Sequence, residues 1–410
     1  MARVNVFVES GFNELHRTGA GSNYVVVTPG GVIYIVFLNY GSSSTVIEVK
    51  FTKSTDGGVT WSAPTTVSAE DTCSQLSIWY DRWSGIAAGL IHCAWTDTAD
   101  GDDCRYRSID TENSDSLSTQ TVIGAFTSAT AAGGPAISIV RARGGNLYCK
   151  VTVDAGAEGG FFGSTDVGAN WSALTNSEAL ATTDQWILMP GWAADDDDIM
   201  MFFWDASVDE ISRVLYDQSG DSWAETSIST AMVDVVSSST FPHFAAAVDT
   251  TNSRNLLVAW SGVDTANADL RCWHITESAI TEVTNVVLNS TDDQGLCAIG
   301  IDTDTQDWYV FYGGKSDGSE TWSASAGVVK VYYKISTDDG ATWGAETALT
   351  AGSHNLAYLC CNPRSSGFPN VLLGIGVGST DPFFPVMNIA EPTAGTVTGI
   401  SRARAFAGMA

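Results

Sequence analysis

The sequence predicts an all-β fold: a β-propeller of four-stranded blades, with seven blades favoured and six as the alternative. Three observations predict it. A short apolar run recurs about every 55 residues, an eight-residue turn recurs on the same beat, and the composition is that of a turn-rich β protein.

The apolar runs are VIYIVFL (32–38), LIHCAW (90–95), NLYCKV (146–151), IMMFFW (199–204), NLLVAW (255–260), WYVFY (308–312) and NVLLGI (370–375). Each is short, rich in β-branched and aromatic residues, and bounded by Gly, Asn or Asp. Runs of this kind read as buried strands rather than helices. A further strand and a tight turn precede each one, as in AISIVRARGG and AIGIDTDTQ. A polar loop and another strand follow, then the eight-residue turn. That makes four strands per unit. The units fall at about 20–70, 71–125, 130–178, 180–230, 240–290, 295–350 and 354–395 of a single 1–395 domain. The last unit needs a fourth strand, from RVNVFVE within 1–10 or from TVTGISRARA, and the sequence does not choose. Residues 396–410 then read as a final strand or a docking tail.

The turn is clearest in STDGGVTW, with Ser54, Asp56, Gly58, Thr60 and Trp61. STDVGANW keeps Ser164, Asp166, Gly168 and Trp171, and STDDGATW keeps Ser336, Asp338, Gly340, Thr342 and Trp343. YDQSGDSW and SIDTENSD are weaker copies, and HITESAIT is nearly erased. The residue types suit a hairpin. Asp accepts backbone N–H groups across its own turn, Gly supplies positive φ, and Trp buries its ring beside the next strand.

Composition bounds the function. The chain has 410 residues, 44% of them apolar, so a sizeable core is available. Net charge is −28 with only six lysines, which argues against nucleic-acid or anionic-membrane partners. No apolar run reaches 18 residues, so no membrane span is expected. The N-terminal MARVNVFVESGFNELHR lacks the basic flank and apolar stretch of a secretory signal. Eight cysteines, none in a CxxC pair, read as buried free thiols rather than a zinc site.

The motif S-x-D-x-G-x-T-W resembles the Asp-box of sialidases and other BNR-repeat propellers. The resemblance implies that the box is structural and lies on the face opposite an active site. It also implies what a sialidase would need: three arginines on a substrate carboxylate, a Tyr–Glu nucleophile pair and an acid–base Asp. Arg141, Arg143, Arg254 and Arg364 sit instead in turns on the Asp-box face, and the first arginine motif has no match in NYVVV (23–27). No catalytic residue is therefore nominated, and a non-enzymatic protein is expected.

The opposite face, made by the loops after each second strand, is the expected functional one. It is densely acidic, with Asp97, Asp103, Asp205, Asp264, Asp317 and Glu320 among its residues. Such carboxylates are mostly solvated; some could take calcium, and a suitably spaced pair could hydrolyse a glycoside. No other cofactor or metal is expected. Trp95, Trp204, Trp260 and Tyr312 end their strands toward this face. They are candidate sugar platforms, or else packing between blades. Trp322, in the longest loop of the set, is the strongest binding candidate. WYDRWSG, with Trp79, Tyr80 and Trp83, and the run Asp195–Asp198 read as turns on the other face. Together these features suggest a virion surface or structural protein, such as a phage tail, receptor-binding or capsid-surface component. Its expected place is virion or extracellular, and its expected partners are glycans or a host receptor, and other virion proteins or copies of itself. Glycoside hydrolase and intracellular scaffold are the alternatives.

Overall fold

The computed structural model describes residues 3–5, 24–40, 46–70, 72–80, 89–97, 103–126, 137–154, 158–176, 184–192, 196–205, 208, 210–230, 244–260, 270–288, 294–314, 330–350, 355–365, 369, 371–376 and 383–388. Every regular element among them is a strand. The chain starts with β1 (Arg3–Asn5). Blade I is β2 (Val25–Val27), β3 (Ile33–Tyr40), β4 (Ile47–Ser54) and β5 (Thr65–Thr66). Blade II is β6 (Cys73–Tyr80), β7 (Leu90–Asp97), β8 (Asp103–Asp110), β9 (Ser116–Leu117) and β10 (Thr121–Ala125). Blade III is β11 (Ile137–Arg141), β12 (Leu147–Asp154), β13 (Glu158–Ser164) and β14 (Ser172–Ala173). Blade IV is β15 (Gln185–Pro190), β16 (Ile199–Asp205), β17 (Glu210–Asp217) and β18 (Ser222–Ser229). Blade V is β19 (Phe244–Asp249), β20 (Arg254–Trp260), β21 (Leu270–Ile275) and β22 (Ile280–Glu282). Blade VI is β23 (Gln294–Asp302), β24 (Trp308–Gly314), β25 (Lys330–Ser336) and β26 (Thr347–Ala348). The remaining strands are β27 (Asn355–Cys361), β28 (Arg364–Ser365), β29 (Val371–Gly376) and β30 (Phe383–Asn388).

Each blade is an antiparallel meander of four strands along its main path. Blade II carries β9 beside β8, and β28 adds in parallel to β23 of blade VI. The seventh sheet is of another kind. Its order is β1-β30-β29-β27, so it joins both ends of the chain. Seven equivalent units were favoured from the sequence. The structure has six blades of that form, which is the alternative count. The stretch after residue 354 supplies only three strands to its own sheet, and β1 supplies the fourth, with Arg3 opposite Asn388. Between RVNVFVE and TVTGISRARA, the N-terminal segment closes the ring; residues 389–410 lie outside the described residues.

The cores lie between sheets. Blades I and II share one, around Val36, Leu76 and Trp95. Others join II to III, III to IV, and IV to V. A further core spans blades V and VI and takes in Leu359 and Val371 of the terminal sheet. Cys360 of that sheet packs into the core of blades I and II, so the terminal sheet fills the gap between blades VI and I. Because blades are covered on both faces, their inner strands are buried at nearly every position, as in β11 and β24. This is why the sequence shows continuous apolar runs rather than alternation. All eight cysteines are buried and free.

The repeated turn is built alike in its three clear copies. The Ser54 hydroxyl donates to Asp56 Oδ1 at 2.8 Å and accepts from Gly58 N at 2.7 Å. Asp56 also accepts Thr60 N at 2.8 Å and the Thr60 hydroxyl at 2.6 Å. Ser336, Asp338 and Thr342 repeat the set. In the second copy Asn170 stands where threonine does, and its Nδ2 donates to Asp166 at 2.6 Å.

In blades II to VI the hairpin at this position reaches back to the blade before it. Asp115 of blade II accepts the Tyr34 hydroxyl of blade I at 2.7 Å and pairs with Lys53. The Val167 carbonyl of blade III accepts from Tyr106 of blade II at 3.2 Å. Asp221 of blade IV accepts Thr175 N of blade III at 3.0 Å. Glu277 of blade V accepts Trp192 N of blade IV, and Thr276 O accepts from Arg213. In blade VI, Trp343 Nε1 donates to Thr284 O of blade V at 2.8 Å. In these five blades the hairpin clasps a seam.

Candidate functional site

A four-stranded meander places its first and third connections at one end and its second connection and exit at the other. The clasping hairpins define a turn end. The opposite, loop end is where the sequence places function. Much of it lies outside the described residues: 41–45, 98–102, 155–157, 206–207, 209, 261–269, 315–329 and 377–382. Trp322, Asp264, Asp317 and Glu320 are among these.

The strand-end aromatics can be placed in part. Trp95 and Tyr312 are 0% exposed and Trp204 is 2% exposed, each inside a core between blades. The Tyr312 hydroxyl donates to Glu346 at 2.6 Å. As platforms for a sugar ring these three are corrected: they are packing residues, because the repeat position faces the neighbouring sheet. Trp260 closes β20 opposite Leu270, at the same level as the others.

The best-defined polar group at the loop end belongs to blade II. Arg105 lies 2.8 Å from Asp103 and 3.8 Å from both Asp97 and Glu70. Asp97 also accepts the Thr72 hydroxyl at 2.5 Å, and Glu70 accepts from Gln120. Three carboxylates thus surround one guanidinium where β7 and β8 meet the loop between them. The strand pairing puts Asp205 opposite Glu210, and Asp154 opposite Glu158, at the corresponding points of blades IV and III. The acidic character read from the loops therefore extends into their strand anchors. Among the described residues, no three His, Cys, Asp or Glu side chains gather as a metal site.

The turn end holds the tempting arginines. Arg254 Nε donates to Asp249, and its guanidinium sits 5.2 Å from the Trp308 ring centre. Arg143 pairs with Asp196 at 2.6 Å and lies over Trp192. Arg141 donates to Gly145 O, and Arg364 is half-buried on β28. Asp196, Asp197 and Asp198 are stitched into the same end: Asn146 N donates to Asp197 and Gln218 N to Asp198. The run is more than a solvated charge cluster.

Trp79 and Tyr80, expected in a turn, instead end strand β6, and Trp79 packs against the cores of three successive seams, from II/III to IV/V; Trp83 lies outside the described residues. Two further residues matter that the sequence did not single out. Lys150 is buried, donates to Asn176 at 2.6 Å and faces the Trp186 ring; burial pulls its ammonium down to about 8. His92 is sealed in the II/III seam with Nδ1 2.7 Å from the Tyr106 hydroxyl, and burial followed by the charge of Arg141 pushes it down to about 3. A lone polar letter in an apolar run carries no sign of its partner, so none was legible.

No family model matches the chain, and no curated protein matches it. Among solved structures, the Hadza microbial sialidase Hz136 is similar over 92% of this chain and 66% of its own, at 12% identity and a TM-score of 0.47. A protein of unknown function from Dyadobacter fermentans DSM 18053 is similar over 94% of this chain and 96% of its own, at 11% identity and a TM-score of 0.47. Trypanosoma rangeli sialidase in complex with sialic acid is similar over 94% and 58%, at 8% identity and a TM-score of 0.44. The chain thus spans less than two thirds of the length of the two sialidases. No residue role is carried over from these likenesses.

Proposed function

We propose that the chain is a non-enzymatic propeller of the Asp-box type, displayed on a virus particle as a tail, receptor-binding or capsid-surface component. Its loop end binds glycans or a host receptor, or docks other virion proteins. The observation that carries the non-enzymatic part is the employment of the arginines. A sialidase-like site draws on three of them to hold a carboxylate. Here Arg143 and Arg254 are engaged with aspartates and tryptophans at the turn end, and Arg141 bonds a turn carbonyl there. The Asp-box reading is supported by the shared Ser–Asp–Gly bonding of the three hairpins. The virion reading rests on composition: few lysines, many Ser, Thr and Gly, and one repeat domain. Several copies on one particle would raise weak sugar affinity into avidity. Arg402 and Arg404, in so acidic a chain, suit a tail that docks to an assembly.

The test is to incubate the purified protein with a mixed glycan panel, with and without calcium, and read retention and cleavage by mass spectrometry. Retention without cleavage, weakened by Trp322→Ala, is expected. Release of a sugar sinks the non-enzymatic reading and directs attention to the carboxylates around Asp97 and Asp103. Failure to co-purify with particles in fixed ratio sinks the virion part.

A further inference from the structure

The seam between blades V and VI differs from the others in one chemical respect. Its cation, Arg254, is only 8% exposed and is shared among three acceptors. Nε donates to Asp249 Oδ2 at 2.8 Å, within blade V. One Nη donates to Asp339 Oδ1 at 2.8 Å, across the seam, where Asp339 sits at φ 58° in the hairpin of blade VI. The other Nη lies 2.8 Å from His274 Nδ1 on β21. The guanidinium also covers the Trp308 ring of blade VI. One side chain therefore holds two blades together at a single point.

A guanidinium has only donors. At 2.8 Å, His274 Nδ1 must therefore present a lone pair, and its proton must sit on Nε2. The contact exists only while the imidazole is neutral. Adding a proton at Nδ1 removes the acceptor and sets two cations side by side. The charged groups around the ring are Arg254 and Asp249 of its own blade, Asp339 of the next, and Arg364, which lies near Asp249. Burial, then Arg254, holds the imidazole below its ordinary range, against the pull of Asp339 and Asp249.

We propose that His274 makes the V/VI seam acid-labile: taking up a solvent proton at Nδ1, it displaces Arg254 from its shared position and loosens the Arg254–Asp339 bridge. The sign follows from the lowered affinity for protons. The contribution is complete above the ordinary histidine value, about 6.5, and is lost as pH falls through the lower value in the folded protein. Among the described residues, the other seams lack this trigger. Their acceptors are carboxylates or backbone carbonyls, and His92, in the II/III seam, is sealed and held down at about 3. His274 is only partly buried, so protons reach it.

The experiment is hydrogen exchange of the intact protein at pH 8 and pH 5, corrected for intrinsic rates, read over the hairpins 249–254 and 336–343. Protection there is expected to fall about tenfold or more at pH 5, while the hairpin 164–171 of blade III changes little. His274→Gln keeps an acceptor for Arg254 and cannot titrate, so its protection should be flat. Equal protection at both values in the wild type, or an equal fall in His274→Gln, overturns the proposal. A second readout does not depend on that variant folding. The chain has five histidines, so their titrations can be resolved by NMR. The His274 midpoint should lie below the ordinary value and fall further in Asp339→Asn; a midpoint at or above the ordinary value overturns it.

Discussion

Gly168 shows how much one position of the turn is asked to do. Its φ is +86°, and a Cβ placed on it would stand 2.1 Å from the Tyr106 ring of the preceding blade. Gly57 also has positive φ, +71°, but a Cβ there would meet nothing within 4 Å. Gly57→Ala should therefore cost about 1 kcal/mol of backbone strain, and Gly168→Ala about 3 kcal/mol or more, once the clash is added. Urea unfolding of the two variants measures the difference. Acid acts on the same turn. Hydrogen bonds from the Thr60 hydroxyl and amide hold the Asp56 carboxyl down at about 2. What it contributes is present above the ordinary carboxylate range and lost as pH falls toward 2, so Asp56→Asn should flatten the acid limb of a stability–pH curve. The Ser–Asp–Gly letters were legible because turn chemistry is local. Asn170 was not, since it replaces a threonine hydroxyl with an amide that makes the same bond. Nor could the sequence separate Trp95 as a platform from Trp95 as packing, because a strand buried on both faces gives no alternation to mark its outer side.

Between the residue and the whole stand the hairpins and their strands. The copy in blade II is weak in its letters and that in blade V nearly erased, yet both blades still clasp their predecessors, through Asp115 and Glu277. A clasp needs only an acceptor carried on a turn, so its letters drift while its geometry holds. In blades IV and VI the tryptophan adds a bond of its own, from Trp223 Nε1 to Thr175 O and from Trp343 Nε1 to Thr284 O. Trp343→Phe keeps the ring and loses the Nε1–H···O contact to Thr284, and should cost about 1 kcal/mol in thermal unfolding. Outer strands follow a different logic. β5, β14 and β26 are two residues long, which leaves little open edge, whereas β18 runs for eight with an exposed centre. Glu225 is the only charge on that strand. Glu225→Val should therefore raise aggregation in static light scattering, while a comparable change on β14 should not.

The whole molecule is a ring whose last sheet is assembled from both ends of the chain. Its outer strand, β1, is three residues long, too short for any periodic signal, and this is why the choice of closing terminus was not legible although the 55-residue beat was. The same beat suggested seven like units, since it counts apolar runs and cannot tell a blade made in one stretch from a sheet completed at a distance. Removing residues 1–5 should bare the edge of β30 and lower the midpoint and steepness of thermal unfolding followed by circular dichroism. An unchanged transition would mean that β1 adds nothing to closure. The backward reach of the hairpins carries a last consequence. A change in one of the hairpins of blades II to VI is read by two blades at once. A substitution in such a hairpin must therefore satisfy two sheets together.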